Sequence, residues 1–142
     1  MSIDHVELFV RDRHDAAHWY RDVLGLEVVD GYQEWADDPR GPLMISSDGG
    51  TTKLALFTGD PQGARPTAGF HLVAFRVGAA GFMAFLDRLP ALRLSDHHGR
   101  GVTRDLAVDH DKAFSLYFSD PWGHRLELTT YEHDAVRAAL RS

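Results

Sequence analysis

The chain has 142 residues, 44% of them hydrophobic and 11% aromatic, which is enough for a genuine core and excludes a disordered polypeptide. Its formal net charge of −6 disfavours a nucleic-acid partner, whose phosphates reward a basic face. There is no cysteine, so disulfides, thiolate zinc clusters and a cysteine nucleophile are excluded, and any metal must sit on nitrogen and oxygen.

The opening MSIDHVELFV lacks the basic region, apolar run and cleavage site of a signal peptide. No stretch approaches the ~20 apolar residues that span a bilayer. A cytoplasmic location without a membrane partner is the expectation. In MSIDHVELFV itself, Val6, Leu8 and Val10 alternate with Ile3, His5, Glu7 and Phe9, the period of a strand. Asp12 then caps a helix through about Val23, with Ala16, Trp19, Tyr20 and Val23 on one face and Gly25 as terminator. After LEVVD, weaker strands are expected around Gly31 to Ala36 and Leu43 to Ser46, and a clearer one from Lys53 to Phe57.

The stretch GDPQGARPTAG reads as a linker over residues 59–69, which bounds module one at 1–58. Module two, 70–132, holds a helix from about Ala80 to Leu89 stopped by Pro90, strands including Val102 to Val108, and a hairpin of SLYF and HRLELTT turning at Asp120-Pro121-Trp122-Gly123. A short terminal helix, 133–142, closes a single domain. The two modules repeat each other. A shift of 66 residues lays IDHVELFV on GFHLVAFRV, matches His5 with His71, and pairs Trp19, Tyr20, Val23 and Leu26 with Phe85, Leu86, Leu89 and Leu92.

If the hairpin turns within SDPWG, Tyr117 stands opposite Glu127 and Ser115 opposite Thr129. Arg125 and Glu127 then share one face while Leu126 and Leu128 point to the core. A carboxylate in mid-strand needs a purpose. A lone strand histidine is most often a core or surface residue, but His5 and His71 take matching places in a duplicated chain, and Glu127 completes a set. Two imidazoles and one carboxylate suit a divalent ion and leave coordination positions open for a small-molecule substrate.

The segments IDHVELFV, AAHWYRDVLGLEVV, GFHLVAFRV and LYFSDPWGHRLELTTYE together resemble the vicinal oxygen chelate superfamily, which includes glyoxalase I, bleomycin-resistance proteins, fosfomycin-resistance enzymes and extradiol dioxygenases. The resemblance implies an α+β fold of two βαβββ modules forming a cup-shaped mixed sheet, metal ligands at His5, His71 and Glu127, and a homodimer. Glyoxalase I would call for an acidic ligand where KLALF has none. Fosfomycin-type thiol transferases would call for a lysine where Ala107 stands. The C-terminal part is most similar to extradiol, catechol-cleaving dioxygenases, which implies Tyr117 and His110 as catalytic residues and Fe(II) as metal, with Mn(II), Zn(II) or Ni(II) serving the lyase, isomerase or transferase alternatives; Arg125, by its place on the Glu127 face, offers either a substrate-anion contact or an ion pair with Glu7 or another carboxylate. From another class, a bleomycin-resistance-like protein would bind its drug without turnover. Trp35, Phe9 and Phe57 are candidates to line the pocket, with ordinary packing the commoner role for such residues, and His97-His98 reads as a solvated loop.

Overall fold

The opening alternation forms strand β1, His5–Val10, which buries Leu8 and Val10 and leaves His5, Glu7 and Phe9 on its open face. Helix α1, Arg13–Leu24, begins where Asp12 Oδ1 accepts the backbone N–H groups of His14 and Asp15 at 2.9 and 3.0 Å. It ends at Gly25, whose φ of 73° suits a residue without Cβ and lets its N–H donate to the Arg21 carbonyl. Ala16, Tyr20 and Val23 form its buried stripe. In this computed structural model residues 1–60 and 71–142 are described, and the chain divides into two units, Met1–Ala64 and Arg65–Ser142.

The first unit continues with β2, Glu27–Val28; α2, Gln33–Asp37; β3, Leu43–Ser46; and β4, Lys53–Thr58. The strand order is β1-β4-β3-β2, with β1 parallel to β4 and the other pairs antiparallel. Helix α2 replaces the strand expected around Gly31 to Ala36. Local bonds explain this: the N–H groups of Trp35 and Ala36 both donate to the Tyr32 carbonyl, and Gln33 Nε2 donates to Asp37 one turn on. The Arg13 guanidinium holds the same segment through the carbonyls of Ala36 at 2.9 Å and Gly41 at 2.6 Å.

The second unit contains β5, Leu72–Arg76; α3, Ala79–Leu92; β6, Val108–Asp109; β7, Phe114–Ser119; β8, Arg125–Thr130; and α4, His133–Arg141. Its order, β5-β8-β7-β6, repeats the first sheet, with β5 parallel to β8. Each unit is thus a βαβββ module with an α+β sheet, as expected. Helix α3 runs two residues past Pro90 instead of stopping before it. Pro90 lacks the N–H for one bond, but buried Leu86 and Leu89 anchor the last turn, and Arg93, in the left-handed region at φ 52°, caps it by donating to the Leu89 carbonyl.

The strand expected over Val102 to Val108 shrinks to β6, because a 3-10 turn at Arg104–Leu106 intervenes and Arg104 is drawn to Asp87 of α3 at 2.6 Å. The hairpin turns as expected. Asp120, 4% exposed, accepts the N–H groups of Trp122 and His124, and Gly123 has a φ of 96°. Most of the expected linker, residues 61–69, lies outside the described residues. Among the described residues no helix is long and apolar enough to cross a membrane.

Candidate active site

On the first sheet, the parallel register sets His5 beside Lys53. The His5 ring bonds Asp4 Oδ2 through Nδ1 at 2.8 Å, and its Nε2 lies 3.6 Å from Glu7 Oε1. Asp4 also takes the Lys53 ammonium at 3.1 Å, and that ammonium, 5% exposed, donates to the Gly50 carbonyl at 2.7 Å as well. The hydrogen bonds from His5 and from Lys53 hold the Asp4 carboxyl below the usual carboxylate range. These groups border a cavity of about 420 Å³ whose walls include Trp35, Met44 and Phe57. Of the three aromatics that the sequence offers as pocket lining, Trp35 and Phe57 border this cavity. Phe9 packs on Phe57 with ring centroids 5.9 Å apart.

On the second sheet, β7 and β8 pair with Tyr117 opposite Glu127 and Ser115 opposite Thr129, the register expected from the hairpin. Ser115, 1% exposed, donates to Glu127 Oε1 at 2.6 Å and lies 3.1 Å from Thr129 Oγ1. His110, in the loop between β6 and β7, places Nε2 at 3.0 Å from Tyr117 Oη. The two residues proposed from sequence as catalytic are thus brought into contact. Arg137 of α4 steadies that loop by gripping Asp109 with two bonds of 2.8 and 3.0 Å. Arg125 opens β8 on the Glu127 face, and its charge, together with burial, which acts more strongly, holds His97 below the usual imidazole range.

The structure does not give His71 the place expected for it. It precedes β5 and is exposed. In the pairing of β5 with β8, Leu72 stands opposite Arg125 and Ala74 opposite Glu127, so Leu72 has the phase of Glu127 and His71 does not. The same conclusion follows from the pattern of burial. Leu8 and Val10 are the buried residues after His5, while on β5 the inward positions are Val73, Phe75 and then Val77, which aligns His5 with Leu72. An extra residue in HLVAFRV, invisible to a fixed shift of 66, moves the histidine out of phase. Among the described residues no three His, Asp or Glu side chains lie together in a group able to hold an ion. What the strand register decides is that His71 does not share the phase of Glu127.

Three contributors were missed from sequence. Ser115 was recognisable as the residue two before Tyr117 on the same strand face. Lys53 stood in view as a charge opening an apolar run. Asp4 carried no signal of its own, since its role depends on Lys53 being brought alongside.

A family model described as the Glyoxalase/Bleomycin resistance protein/Dioxygenase superfamily matches residues 2–128. The chain belongs to that superfamily. The superfamily fold is also that of a glyoxalase/dioxygenase from Nostoc punctiforme, 19% identical over 92% of this chain and 90% of that one, with a TM-score of 0.66. Oxidase ChaP-H1 is 24% identical over 92% and 95%, at 0.64. The fosfomycin resistance protein FosX from Listeria monocytogenes is 16% identical over 96% and 98%, also at 0.64. No curated protein matches the chain. Superfamily members typically use divalent metals, which makes the phase of His71 a point at which this member's residues depart from the expected set.

Proposed function

We propose that this superfamily member is an enzyme acting on a small molecule that presents a hydroxyl beside a second oxygen, with a catechol as the model substrate. The observation that carries the reading is the 3.0 Å contact between His110 Nε2 and Tyr117 Oη, directly across the ladder from Glu127. A tyrosine hydroxyl accepts one hydrogen bond and donates another, so Tyr117 suits a substrate oxygen on one side and the imidazole on the other. An imidazole can take up and return a proton, which suits His110 to handle the hydroxyl proton. Ser115 fixes the Glu127 carboxylate on that same face, where it accepts hydrogen bonds from a bound hydroxyl.

The test is turnover of a catechol panel, followed by oxygen uptake and product absorbance, on protein as purified, after chelation, and after loading with Fe(II) or Mn(II). Tyr117→Phe and His110→Ala are each expected to lower kcat/KM by about 100-fold or more, the usual contribution of a positioned acid or base. Full activity in both variants, or no turnover under any of the three conditions, overturns the reading.

A further inference from the structure

Helix α1 turns to solvent a pair of residues that neither the open face of the sheet nor the His110 and Tyr117 reading uses. In the run HDAAH, His14 and His18 stand four residues apart, the only two of the nine histidines with that spacing. Both lie within the continuous helix Arg13–Leu24, and both are exposed. The buried stripe of Ala16, Ala17, Tyr20 and Val23 faces the sheet, because α1 packs on β2, β3 and β4. At 3.6 residues per turn, His14 and His18 are about 40° apart and bracket the direction opposite that stripe. They therefore share the side of α1 turned away from the sheet.

Residues four apart on a helix have Cβ atoms about 5–6 Å from each other, and helical side chains lean toward the N-terminus, so His18 reaches back over the turn that bears His14. Metal–nitrogen bonds of about 2.0–2.1 Å from both rings can close on one ion across that gap. The same spacing lets two histidines hold zinc in the helical H-E-x-x-H arrangement, and here Asp15 stands where that pattern has glutamate.

The local charges favour a cation. The backbone N–H of Asp15 above all, then that of His14, hold the Asp12 carboxyl below the usual carboxylate range, so a negative charge offsets the positive end of the helix. Asp15 adds a second carboxylate in the first turn. Of the arginines on α1, Arg13 is turned to the carbonyls of Ala36, Asp38 and Gly41, and Arg21 is paired with Asp22 at 3.1 Å.

We propose that His14 and His18 chelate a late first-row divalent cation, with Cu(II) preferred and water filling the remaining positions. Two imidazole nitrogens suit Cu(II) over Ni(II) and Zn(II), the order that holds for such donors generally. Among the described residues no group of three ligating side chains forms, so the site is one of two nitrogens. It lies on the far side of α1 from the sheet and stands independently of the proton-transfer reading.

The experiment is calorimetric titration of the chelator-stripped full chain with Cu(II) alone at mildly alkaline pH, with EPR spectra of the loaded protein. The unmodified chain is expected to take up Cu(II) with nitrogen superhyperfine structure. His14→Ala and His18→Ala should each weaken that binding about ten-fold or more, equal to about 1.4 kcal/mol, with little change in melting temperature because both positions are exposed. Adding Asp22→His to His14→Ala recreates a pair four residues apart with His18 and should restore the binding. Ni(II) and Zn(II) should bind the same pair more weakly. Copper binding that is unchanged in the double variant His14→Ala/His18→Ala, no recovery with Asp22→His, or no copper bound by the unmodified chain overturns the proposal.

Discussion

Glu127 stands directly opposite Tyr117 on the β7-β8 ladder and takes a 2.6 Å hydrogen bond from Ser115, the next residue along the same face. Ser115, 1% exposed, thus sets the orientation of the Glu127 carboxylate. Ser115→Ala would remove that donor and the contact to Thr129. The expected outcome is a stability loss of about 1–2 kcal/mol by urea titration, with reduced turnover on any substrate that the intact chain accepts. Unchanged stability and turnover together would show that Glu127 is oriented by other means.

The Asp4 and Lys53 pair is asymmetric, because Lys53 is 5% exposed on its side chain and Asp4 is 70% exposed. Asp4→Asn leaves a buried ammonium with one carbonyl partner, whereas Lys53→Met leaves a carboxylate in water. Thermal melts should therefore show a larger fall for Asp4→Asn than for Lys53→Met. The reverse order would mean that the ammonium's bond to the Gly50 carbonyl matters more than its pairing with Asp4.

Acid should weaken the fold through a specific loop. The backbone N–H of Thr52, then the hydroxyls of Ser46 and Thr52, pull the Asp48 carboxyl down to about 2. A carboxyl lowered in the folded chain stabilises it above the unfolded value and loses that contribution as pH falls. Melting temperature should decline from about pH 4 toward about pH 2, and Asp48→Asn should flatten part of that decline. Identical pH profiles for the two proteins would assign acid sensitivity to other carboxyls.

Helix α4 is tied to the loop bearing His110. Val136 is fully buried, and Arg137 bridges Asp109 and Asp134. Val136→Ala is expected to cost about 2 kcal/mol of stability. Arg137→Met should lower kcat with little change in melting temperature, because it frees Asp109 without opening the core. Equal kcat values would detach the helix from the site.

Much of this protein is legible in its sequence because the signals are local. Alternation gave β1 and β8, the Asp12 and Gly25 caps bounded α1 to within a residue, and the SDPWG turn set the pairing of Tyr117 with Glu127. The contact between His110 and Tyr117 depends instead on the short pairing of β6 with β7, which sets Val108 opposite Ser115.

The remainder was decided by tertiary structure, because it depends on which groups distant segments bring together. Arg13 pins the helix at 33–37 through a carbonyl more than twenty positions away, and Trp35 on that helix is a cavity wall. The phase of His71 depends on how β5 registers against β8, and one added residue reverses it while leaving the resemblance of the two halves intact. Sequence alone therefore determined the family fold and the facing of Tyr117 and Glu127. Only the pairing of strands decided which face each chemical group occupies.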